Sequence, residues 1–488
     1  MFGFLDRKSV KYIEPCLVEH KNIQRLEKLT HNDFKDWVFI ILIVSVFCFS
    51  YSFIPNQDQQ ALGQSQTKTG PANITNIVNM PSLSDHNLKI ESVATGFDFP
   101  TGIAFLGNND ILLLEKNTGM VYRIIDGNIT NPVIHLNVSS KDERGLLGIA
   151  VTGNGESNRD DRFVFVYYTY CPKVKAKVAS TSQDCGNYVY RYKFDTENSK
   201  LIEPMLILTL PALPTPSHLG GVLQMDKNNN LYVTTGDLQT TKFNQNQTGF
   251  DTRAQNIING TAPDGRAGIL RVTQDGDPVG QGLLGNDYPL SVYYAYGIKN
   301  SFGIGFDPVT GNLWDTENGP QFGDEINLVE PGFNSGWEKV QGIWKLNETR
   351  EKEGIFNDST KVDFVGFDGK GKYSNPEFVW DRPVAPTALV FLNSDKLGQQ
   401  YENDMFVGSA KKGTIYHFDL NQDRKSLNLT GDLADLVYSK KDESSKIVFG
   451  ENFGIVTDLE VGPDGYLYVV SALKKSEGSI YRIVPKLN

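Results

Sequence analysis

Hydrophobic and polar positions alternate in short runs along residues 101–485, and the runs repeat as one unit. Each unit has an apolar strand, a polar turn, a second strand and often a third strand that ends in an aromatic, a basic and an aliphatic residue. Turn sequences such as Asp-Pro-Val-Thr-Gly separate the strands, which predicts antiparallel hairpins. Six copies of the unit begin at Thr101, Gly145, Gly221, Phe302, Thr387 and Val456.

A repeated β-unit predicts a closed array of small sheets, because radial repetition leaves only short strand edges exposed. We therefore predict an all-β fold, a six-bladed β-propeller over residues 88–488. A single strand at residues 89–97 precedes the first copy, and we expect it to pair with the last blade and close the ring. A parallel β-helix is the alternative, but the hairpin turns favour antiparallel meanders. The charged segment 340–380 has no clear period and is interpreted as an insertion loop.

One uncharged apolar run departs from this pattern, at residues 37–54. Its 18 residues have the length that a helix needs to cross the bilayer core. Residues 1–36 carry seven Lys/Arg and residues 55–85 carry one, so the positive-inside rule places the N-terminus in the cytoplasm. We predict a cytoplasmic tail, a transmembrane helix, a flexible stalk at 55–87 and a propeller that is extracellular or periplasmic. A cleaved signal peptide is the alternative, although no A-x-A site follows the run.

The cysteines agree with this placement. Cys16 falls in the tail and Cys48 in the span. Cys171 and Cys185 are then the pair outside, 14 positions apart between two Tyr-rich runs, and a disulfide that closes a hairpin loop is expected in an oxidising compartment. Eight N-x-S/T sequons give weak support for a glycosylated surface, at Asn73, Asn128, Asn137, Asn246, Asn259, Asn347, Asn357 and Asn428.

The overall composition excludes two broad classes of protein. Hydrophobic residues make up 39% of the chain and charged residues 22%, which is enough for a packed core and excludes global disorder. The formal net charge of −11 argues against a nucleic-acid binder, because binding to a phosphate backbone requires a basic surface.

Two loops carry candidate chemistry. His218 lies at a loop-to-strand junction in Pro-Thr-Pro-Ser-His-Leu-Gly-Gly, where the prolines fix the approach and the glycines allow close contact. It is the candidate catalytic residue, and the alternative is a structural histidine. The loop at residues 318–327 offers backbone carbonyls and carboxylates, which are hard oxygen ligands suited to Ca²⁺, and the alternative is an ordinary acidic turn. The stretch 226–237 matches an EF-hand only superficially, because it lacks the glycine at position six, and we reject it.

A set of basic residues lies next to these loops in the repeat pattern. Together they could hold an anionic ligand, and the alternative is solvated surface charge. The residues are Arg144, Lys299, Lys411 and Lys412.

Taken in order, five motifs resemble those of the glucose/sorbosone dehydrogenase family. They are Glu143-Arg-Gly-Leu-Leu-Gly, Ser217-His-Leu-Gly-Gly, Tyr296-Gly-Ile-Lys-Asn-Ser-Phe-Gly, Glu317-Asn-Gly-Pro-Gln-Phe-Gly-Asp-Glu-Ile-Asn-Leu and Val461-Gly-Pro-Asp-Gly-Tyr-Leu-Tyr. The resemblance covers about residues 90–485. It implies a soluble-type quinoprotein with a six-bladed propeller that oxidises aldose sugars and binds pyrroloquinoline quinone (PQQ) and Ca²⁺.

The resemblance also implies roles for individual residues. His218 would be the general base, which takes the C1 hydroxyl proton of the sugar while a hydride passes to the quinone. The other implied roles are cofactor contacts for Arg144, Lys299, Asn300 and Lys411, Ca²⁺ ligands for Gly319 and Pro320, and a second, structural Ca²⁺ site at Glu325 and Ser335.

The sequence departs from the family pattern at several of these places. Arg144 stands where the family usually has Gln, and Lys299 replaces Arg. Ile455 and Thr457 stand where the family has two arginines that face the carboxylates of the cofactor. Without these two arginines, the site has less positive charge to bind a tri-anionic quinone. Arg144 could supply part of the missing charge.

Two functions follow from these observations. The first is a membrane-anchored, outward-facing PQQ- and Ca²⁺-dependent dehydrogenase for an aldose or related sugar or alcohol, with a membrane-bound or extracellular electron acceptor. The second is a non-catalytic extracellular propeller that binds glycans or proteins at the cell surface. His218 and the 318–327 loop favour the first function, and the missing arginines favour the second.

Overall fold

The computed structural model describes residues 80–153, 162–172, 185–239, 251–357, 361–440, 443, 446–473 and 477–486. All of them belong to one compact unit, Ile77–Asn488. The predicted tail, the predicted transmembrane span and nearly all of the predicted stalk lie outside the described residues and stay predictions. In the part of the chain that the structure describes, no helix is long and apolar enough to cross a membrane.

The described chain is all-β, as predicted, and its strands form six large sheets that follow one another in chain order. The first sheet holds β3 (Pro100–Gly107), β4 (Asp110–Glu115), β5 (Met120–Ile125), β6 (Asn128–Ile129) and β7 (Ile134–His135). The second holds β8 (Leu146–Val151), β9 (Phe163–Tyr170), β10 (Gly186–Asp195) and β11 (Lys200–Pro211). The third holds β12 (Leu223–Met225), β13 (Leu231–Thr235), β14 (Gly268–Val272), β15 (Tyr293–Tyr296), β19 (Phe333–Asn334) and β23 (Lys372–Tyr373).

The second half of the chain repeats this arrangement. The fourth sheet holds β16 (Ser301–Phe306), β17 (Leu313–Glu317), β18 (Asp324–Val329), β24 (Phe378–Trp380) and β28 (Val437–Tyr438). The fifth holds β25 (Pro386–Phe391), β26 (Met405–Ser409), β27 (Ile415–Phe418), β29 (Val448–Glu451) and β1 (Ser82–Leu83). The sixth holds β30 (Ile455–Val461), β31 (Leu467–Ala472), β32 (Gly478–Pro485) and β2 (Leu88–Phe97). Single 3₁₀ turns lie at Arg253–Gln255, Leu290–Val292, Gln399–Tyr401 and Gly431–Leu433.

Six hydrophobic clusters hold neighbouring sheets together. One cluster lies between each consecutive pair of sheets, and one of them joins the sixth sheet to the first. The middle strands are covered on both faces, which explains why β4 and β31 are nearly continuous apolar runs instead of alternating ones. The N-terminal β2 pairs antiparallel with β32, so the first long strand of the domain completes the last sheet, as predicted.

The ordered strands begin before the predicted boundary at residue 88. Ser82–Leu83 was expected in the flexible stalk, but it pairs with β29. The reason is local packing, because Leu83 rests on the cluster between the fifth and sixth sheets and the Ser84 hydroxyl donates to the Phe449 carbonyl.

The charged segment 340–380 is not the loop that its lack of period suggested. It forms a separate three-stranded sheet of β20 (Val340–Gln341), β21 (Trp344–Leu346) and β22 (Lys352–Ile355), and it also contributes β23 and β24 to the large sheets. These strands are too short to show an alternation in the sequence.

In the second sheet, a disulfide joins Cys171 after β9 to Cys185 before β10, with a sulfur–sulfur distance of 2.09 Å.

The first strand of each large sheet lines one central cavity of about 50 Å³. Glycines on these inner strands permit the close approach that the geometry requires. A Cβ atom at Gly148 in β8 would lie 2.0 Å from the carbonyl oxygen of Gly221, which precedes β12. Since that neighbour is backbone, neither strand could move aside without disturbing its own sheet.

We expect Gly148→Ala to lower the free energy of unfolding by about 1–3 kcal/mol, because the added methyl group overpacks the contact between two inner strands. Denaturant-induced unfolding of the variant and the parent protein measures the difference. Gly107→Ala is the matched control, since a Cβ at Gly107 meets no atom within 4 Å. Equal stability losses for the two variants would contradict the close contact at Gly148.

Candidate active site

His218 lies on the loop that leads into the third sheet, and its backbone is held from two sides. Its own N–H donates to the Glu143 carboxylate at 2.6 Å. The next-but-one residue, Gly220, donates its N–H to the side-chain oxygen of Asn300 at 3.1 Å. His218 has a φ of +58°, and the two glycines that follow it are also in the left-handed region. The proline-containing loop before His218 and the glycines after it therefore fix the position of the imidazole. The His218 side chain is 17% exposed.

The imidazole is paired with a buried carboxylate. His218 Nδ1 lies 2.6 Å from Asp237 Oδ1, and the indole N–H of Trp337 donates to Asp237 Oδ2 at 2.8 Å. Burial raises the pKa of Asp237, but the charge and hydrogen bond of His218 outweigh it, so the pKa lies below its usual value. An ionised Asp237 accepts the Nδ1 proton, which assigns the lone pair of the neutral imidazole to Nε2.

A buried lysine lies next to this nitrogen. The ammonium of Lys299 is 3.3 Å from His218 Nε2, and the side chain is buried among Asp237, Glu143, Asp324 and Glu317. Burial lowers the pKa of Lys299, and these four carboxylates oppose the change. A substrate hydroxyl that approaches both nitrogens from the open side of this contact could give its proton to Nε2 and accept a hydrogen bond from the ammonium.

The 318–327 loop joins this cluster directly. The Asn318 N–H donates to the Asn300 carbonyl at 2.8 Å, which ties the loop to the residue after Lys299. The carboxylate of Asp324 accepts three backbone N–H groups, from Gly319 at 2.8 Å, Val384 at 2.7 Å and Ala385 at 2.8 Å. These bonds fix the turn that presents the carbonyls of residues 319 and 320.

Behind this loop lies a group of buried carboxylates. The Ser335 hydroxyl donates to Glu317 at 2.6 Å and lies 3.3 Å from Glu325. Burial raises the pKa of Glu325 well above its usual value and that of Glu317 to about 7. The carboxyl group of Asp315 is buried beside the side chains of Asn327 and Ser301, and burial raises its pKa well above the usual value. In the described ranges, no three His, Cys, Asp or Glu side chains are placed to hold one metal ion.

The predicted basic residues have different surroundings. The Lys411 N–H donates to the Val384 carbonyl and its ammonium donates to the Pro383 carbonyl at 2.8 Å. Val384 in turn donates its N–H to Asp324 of the 318–327 loop. Arg144 is fully buried and donates to the Ala212 carbonyl at 2.7 Å. Thr457 lines the central cavity.

Three residues of the site were not found from the sequence. Asp237 follows the buried strand β13 in Thr-Thr-Gly-Asp, and a carboxylate directly after a buried strand was the available signal. No feature of the sequence around Trp337 indicated that it belongs to the site. Lys116 is buried beside Glu143, and only the fold brings them together.

Comparisons with known proteins identify the family. The sequence profile of the family described as Glucose / Sorbosone dehydrogenase matches residues 97–482. Aldose sugar dehydrogenase YliI of Escherichia coli (strain K12) is 24% identical over 403 residues, which cover 82% of this chain and 93% of that protein. Quinoprotein glucose dehydrogenase B of Acinetobacter calcoaceticus is 23% identical over 454 residues, which cover 81% and 88%.

Solved structures share the fold. The apo-form of the soluble aldose sugar dehydrogenase from Escherichia coli matches with a TM-score of 0.60 at 21% identity, over 82% of this chain and 100% of that one. The PQQ-bound form of the aldose sugar dehydrogenase from Streptomyces coelicolor matches with a TM-score of 0.56 at 20% identity, over 83% and 99%.

The family profile spans the described domain from the end of β2 to β32 and includes every motif on which the resemblance was based. The resemblance predicted from the motifs is therefore confirmed, and the chain belongs to the glucose/sorbosone dehydrogenase family.

Proposed function

We propose that the protein is a PQQ- and Ca²⁺-dependent dehydrogenase that oxidises an aldose or a related sugar or alcohol by hydride transfer. The observation that carries this proposal is the His218–Asp237 pair, because His218 Nε2 lies 3.3 Å from the Lys299 ammonium. The next residue, Asn300, accepts the N–H of Asn318 at the start of the 318–327 loop. Family membership supports the reaction class, and relatives named as aldose sugar and glucose dehydrogenases support a sugar substrate.

The proposed scaffold is a six-bladed β-propeller over residues 88–488. The six large sheets in chain order, the cluster that joins the sixth to the first and the shared central cavity support it. In this scaffold, the loop that carries His218 and the 318–327 loop would form the mouth of the site.

The residues present fit a Ca²⁺ ion. The carbonyls of Gly319 and Pro320 receive no hydrogen bond from any described donor, and both residues are partly exposed, so two oxygen ligands are available. A second, structural cation would be held at Glu325 and Ser335. The carboxyl groups of Asp315, Glu317 and Glu325 are buried in this region, and a cation among them would favour the ionised forms that burial disfavours. Ca²⁺ at the first site would act as a Lewis acid toward a bound quinone carbonyl.

Three further residues support a PQQ site. Lys299 supplies an ammonium group beside His218, Lys411 supplies one at the Pro383 carbonyl, and Asn300 accepts the N–H of Gly220. PQQ, when bound, would accept the hydride that leaves the sugar carbon.

The chain's own residues would move the proton. His218 Nε2 would take the hydroxyl proton of the substrate, and the Lys299 ammonium would stabilise the negative charge that develops on the same oxygen. Asp237 would hold the ring in position and stabilise the imidazolium that forms. The C–H electron pair would leave the carbon as hydride, and the substrate would become a carbonyl product.

Ile455 and Thr457 favour a second function, a non-catalytic extracellular propeller that binds glycans or proteins. In that case the His218–Asp237 pair would be a structural hydrogen bond.

We further propose a single-pass anchor at residues 37–54 with the propeller extracellular or periplasmic, which the charge asymmetry and the Cys171–Cys185 disulfide support.

Reconstitution tests the proposed reaction. We expect the full-length protein, loaded with PQQ and Ca²⁺, to reduce a redox dye when an aldose is added, and to lose this activity when a chelator removes Ca²⁺. The measurement is dye absorbance with a panel of aldoses, and the protein without PQQ is the control. No PQQ-dependent reduction with any sugar would overturn the dehydrogenase proposal and favour the binding function.

His218→Gln removes the proposed base. We expect kcat to fall by about 10²–10⁴-fold, because a glutamine side chain cannot take the hydroxyl proton. His417→Gln is the matched control, since His417 pairs with Asp404 at 2.7 Å on β27, the middle strand of the fifth sheet. A similar loss in both variants, or none in either, would contradict the role of His218.

Asp324→Ala tests the turn that presents the carbonyls. We expect the free energy of unfolding to fall by about 2–4 kcal/mol, because three backbone donors lose their acceptor. The Ca²⁺-induced rise in melting temperature should also disappear. Asp381→Ala is the control, since Asp381 makes an exposed ion pair with Lys352 and such pairs contribute about 0–1 kcal/mol. An unchanged response to Ca²⁺ in Asp324→Ala would place the ion elsewhere.

A further inference from the structure

The separate three-stranded sheet β20–β22 carries one side chain that reaches the surroundings of Asp237. Arg350 lies in the turn between β21 and β22 and is 22% exposed. Its Nε donates to Glu338 Oε2 at 2.9 Å, and its Nη2 donates to Gln239 Oε1 at 2.8 Å. Its guanidinium carbon lies 5.9 Å from the ring centroid of Trp337.

Two of these three neighbours are the residues that hold Asp237. The Gln239 N–H donates to Asp237 Oδ1 at 2.9 Å, and the Trp337 indole donates to Asp237 Oδ2 at 2.8 Å. Asp237 Oδ1 is also the atom that contacts His218 Nδ1. Each carboxylate oxygen of Asp237 therefore accepts a hydrogen bond from a residue that Arg350 contacts.

The backbone at Arg350 is built for this contact. Its φ is +65°, a left-handed conformation that is uncommon for a residue other than glycine. The side chain of Asn347 imposes the turn, because its oxygen accepts the N–H groups of Thr349 and Glu351 and the Thr349 hydroxyl. The turn thus places the charged side chain of Arg350 against Glu338 and Gln239, at a backbone position that glycine usually occupies.

The partner carboxylate is anchored independently of the turn. Glu338 donates its N–H to the Gln255 carbonyl at 2.8 Å, and its side chain accepts from Gln255 Nε2 at 3.1 Å. The Arg350–Glu338 contact therefore attaches the small sheet to a fixed point beside the third sheet. The planar guanidinium reaches Glu338 and Gln239 at the same time, which the single ammonium of a lysine could not do in the same geometry.

We infer that Arg350 is a positioning residue for the His218–Asp237 pair, acting through Gln239 and Trp337, and that the sheet β20–β22 thereby controls the orientation of the His218 imidazole. The catalytic part of this inference rests on the proposed function. The orientation of the ring does not, because it is a property of the protein without substrate.

The experiment measures ring orientation and activity separately. The full-length protein is labelled with ¹⁵N at its six histidines, and the Nδ1 proton of His218 is assigned by its loss in His218→Gln. A short hydrogen bond to a carboxylate shifts such a proton far downfield. The same signal is recorded in Arg350→Ala and Arg350→Lys. Lys345→Ala is the matched control, since Lys345 makes an ion pair with Glu353 at 3.0 Å on the same small sheet.

We expect the His218 signal to move upfield or broaden in Arg350→Ala, to a smaller extent in Arg350→Lys and not at all in Lys345→Ala. In the PQQ- and Ca²⁺-loaded protein, kcat of Arg350→Ala should fall by about 100-fold with a smaller change in KM, because a small misplacement of a catalytic group has this effect on rate.

An unchanged His218 signal in both Arg350 variants would overturn the inference, and so would an equal change in Lys345→Ala. If Arg350→Ala does not fold, Arg350→Lys decides in the same way. A shifted signal in a protein that shows no PQQ-dependent activity would support the positioning role of Arg350 while refuting the proposed dehydrogenase function.

Discussion

The hydrogen bond between His218 Nδ1 and the buried Asp237 determines what this site can do. It fixes the ring, assigns the lone pair to Nε2 and leaves that nitrogen beside the Lys299 ammonium. Glu143 and Asn300 hold the backbone around the histidine. Because these side chains come from loops that flank the second, third and fourth sheets, the site depends on the packing of these three sheets.

The overall fold could be predicted from alternation and turns, since each repeat carries its own local signals. The strand β2 and its pairing with β32 were predicted for the same reason. The three-stranded sheet at residues 340–355 was missed, because strands of two to four residues are too short for a periodic pattern. The early start at Ser82–Leu83 depends on a cluster of residues that are distant in the chain.

The candidate site was only partly predictable. His218 stood out because prolines and glycines surround it, and the 318–327 loop because it concentrates oxygen ligands. Asp237 and Trp337 were missed, since their contacts join residues that are 19 and 100 positions apart. Arg144 was predicted to contact an anionic cofactor, with surface charge as the alternative, and the structure places its side chain inside, with the Ala212 carbonyl as an acceptor. The sequence shows that a side chain is charged, but only the folded structure shows whether that charge is accessible to a ligand.

In the proposed reaction, His218 removes a proton while the substrate carbon loses a hydride. Rapid mixing of the PQQ- and Ca²⁺-loaded full-length protein with an aldose deuterated at C1, followed by quinone absorbance in a single turnover, measures this step. We expect deuteration to slow reduction of the bound quinone severalfold and His218→Gln to slow it much further. Absence of quinone reduction, or equal rates for the parent protein and His218→Gln, would contradict it.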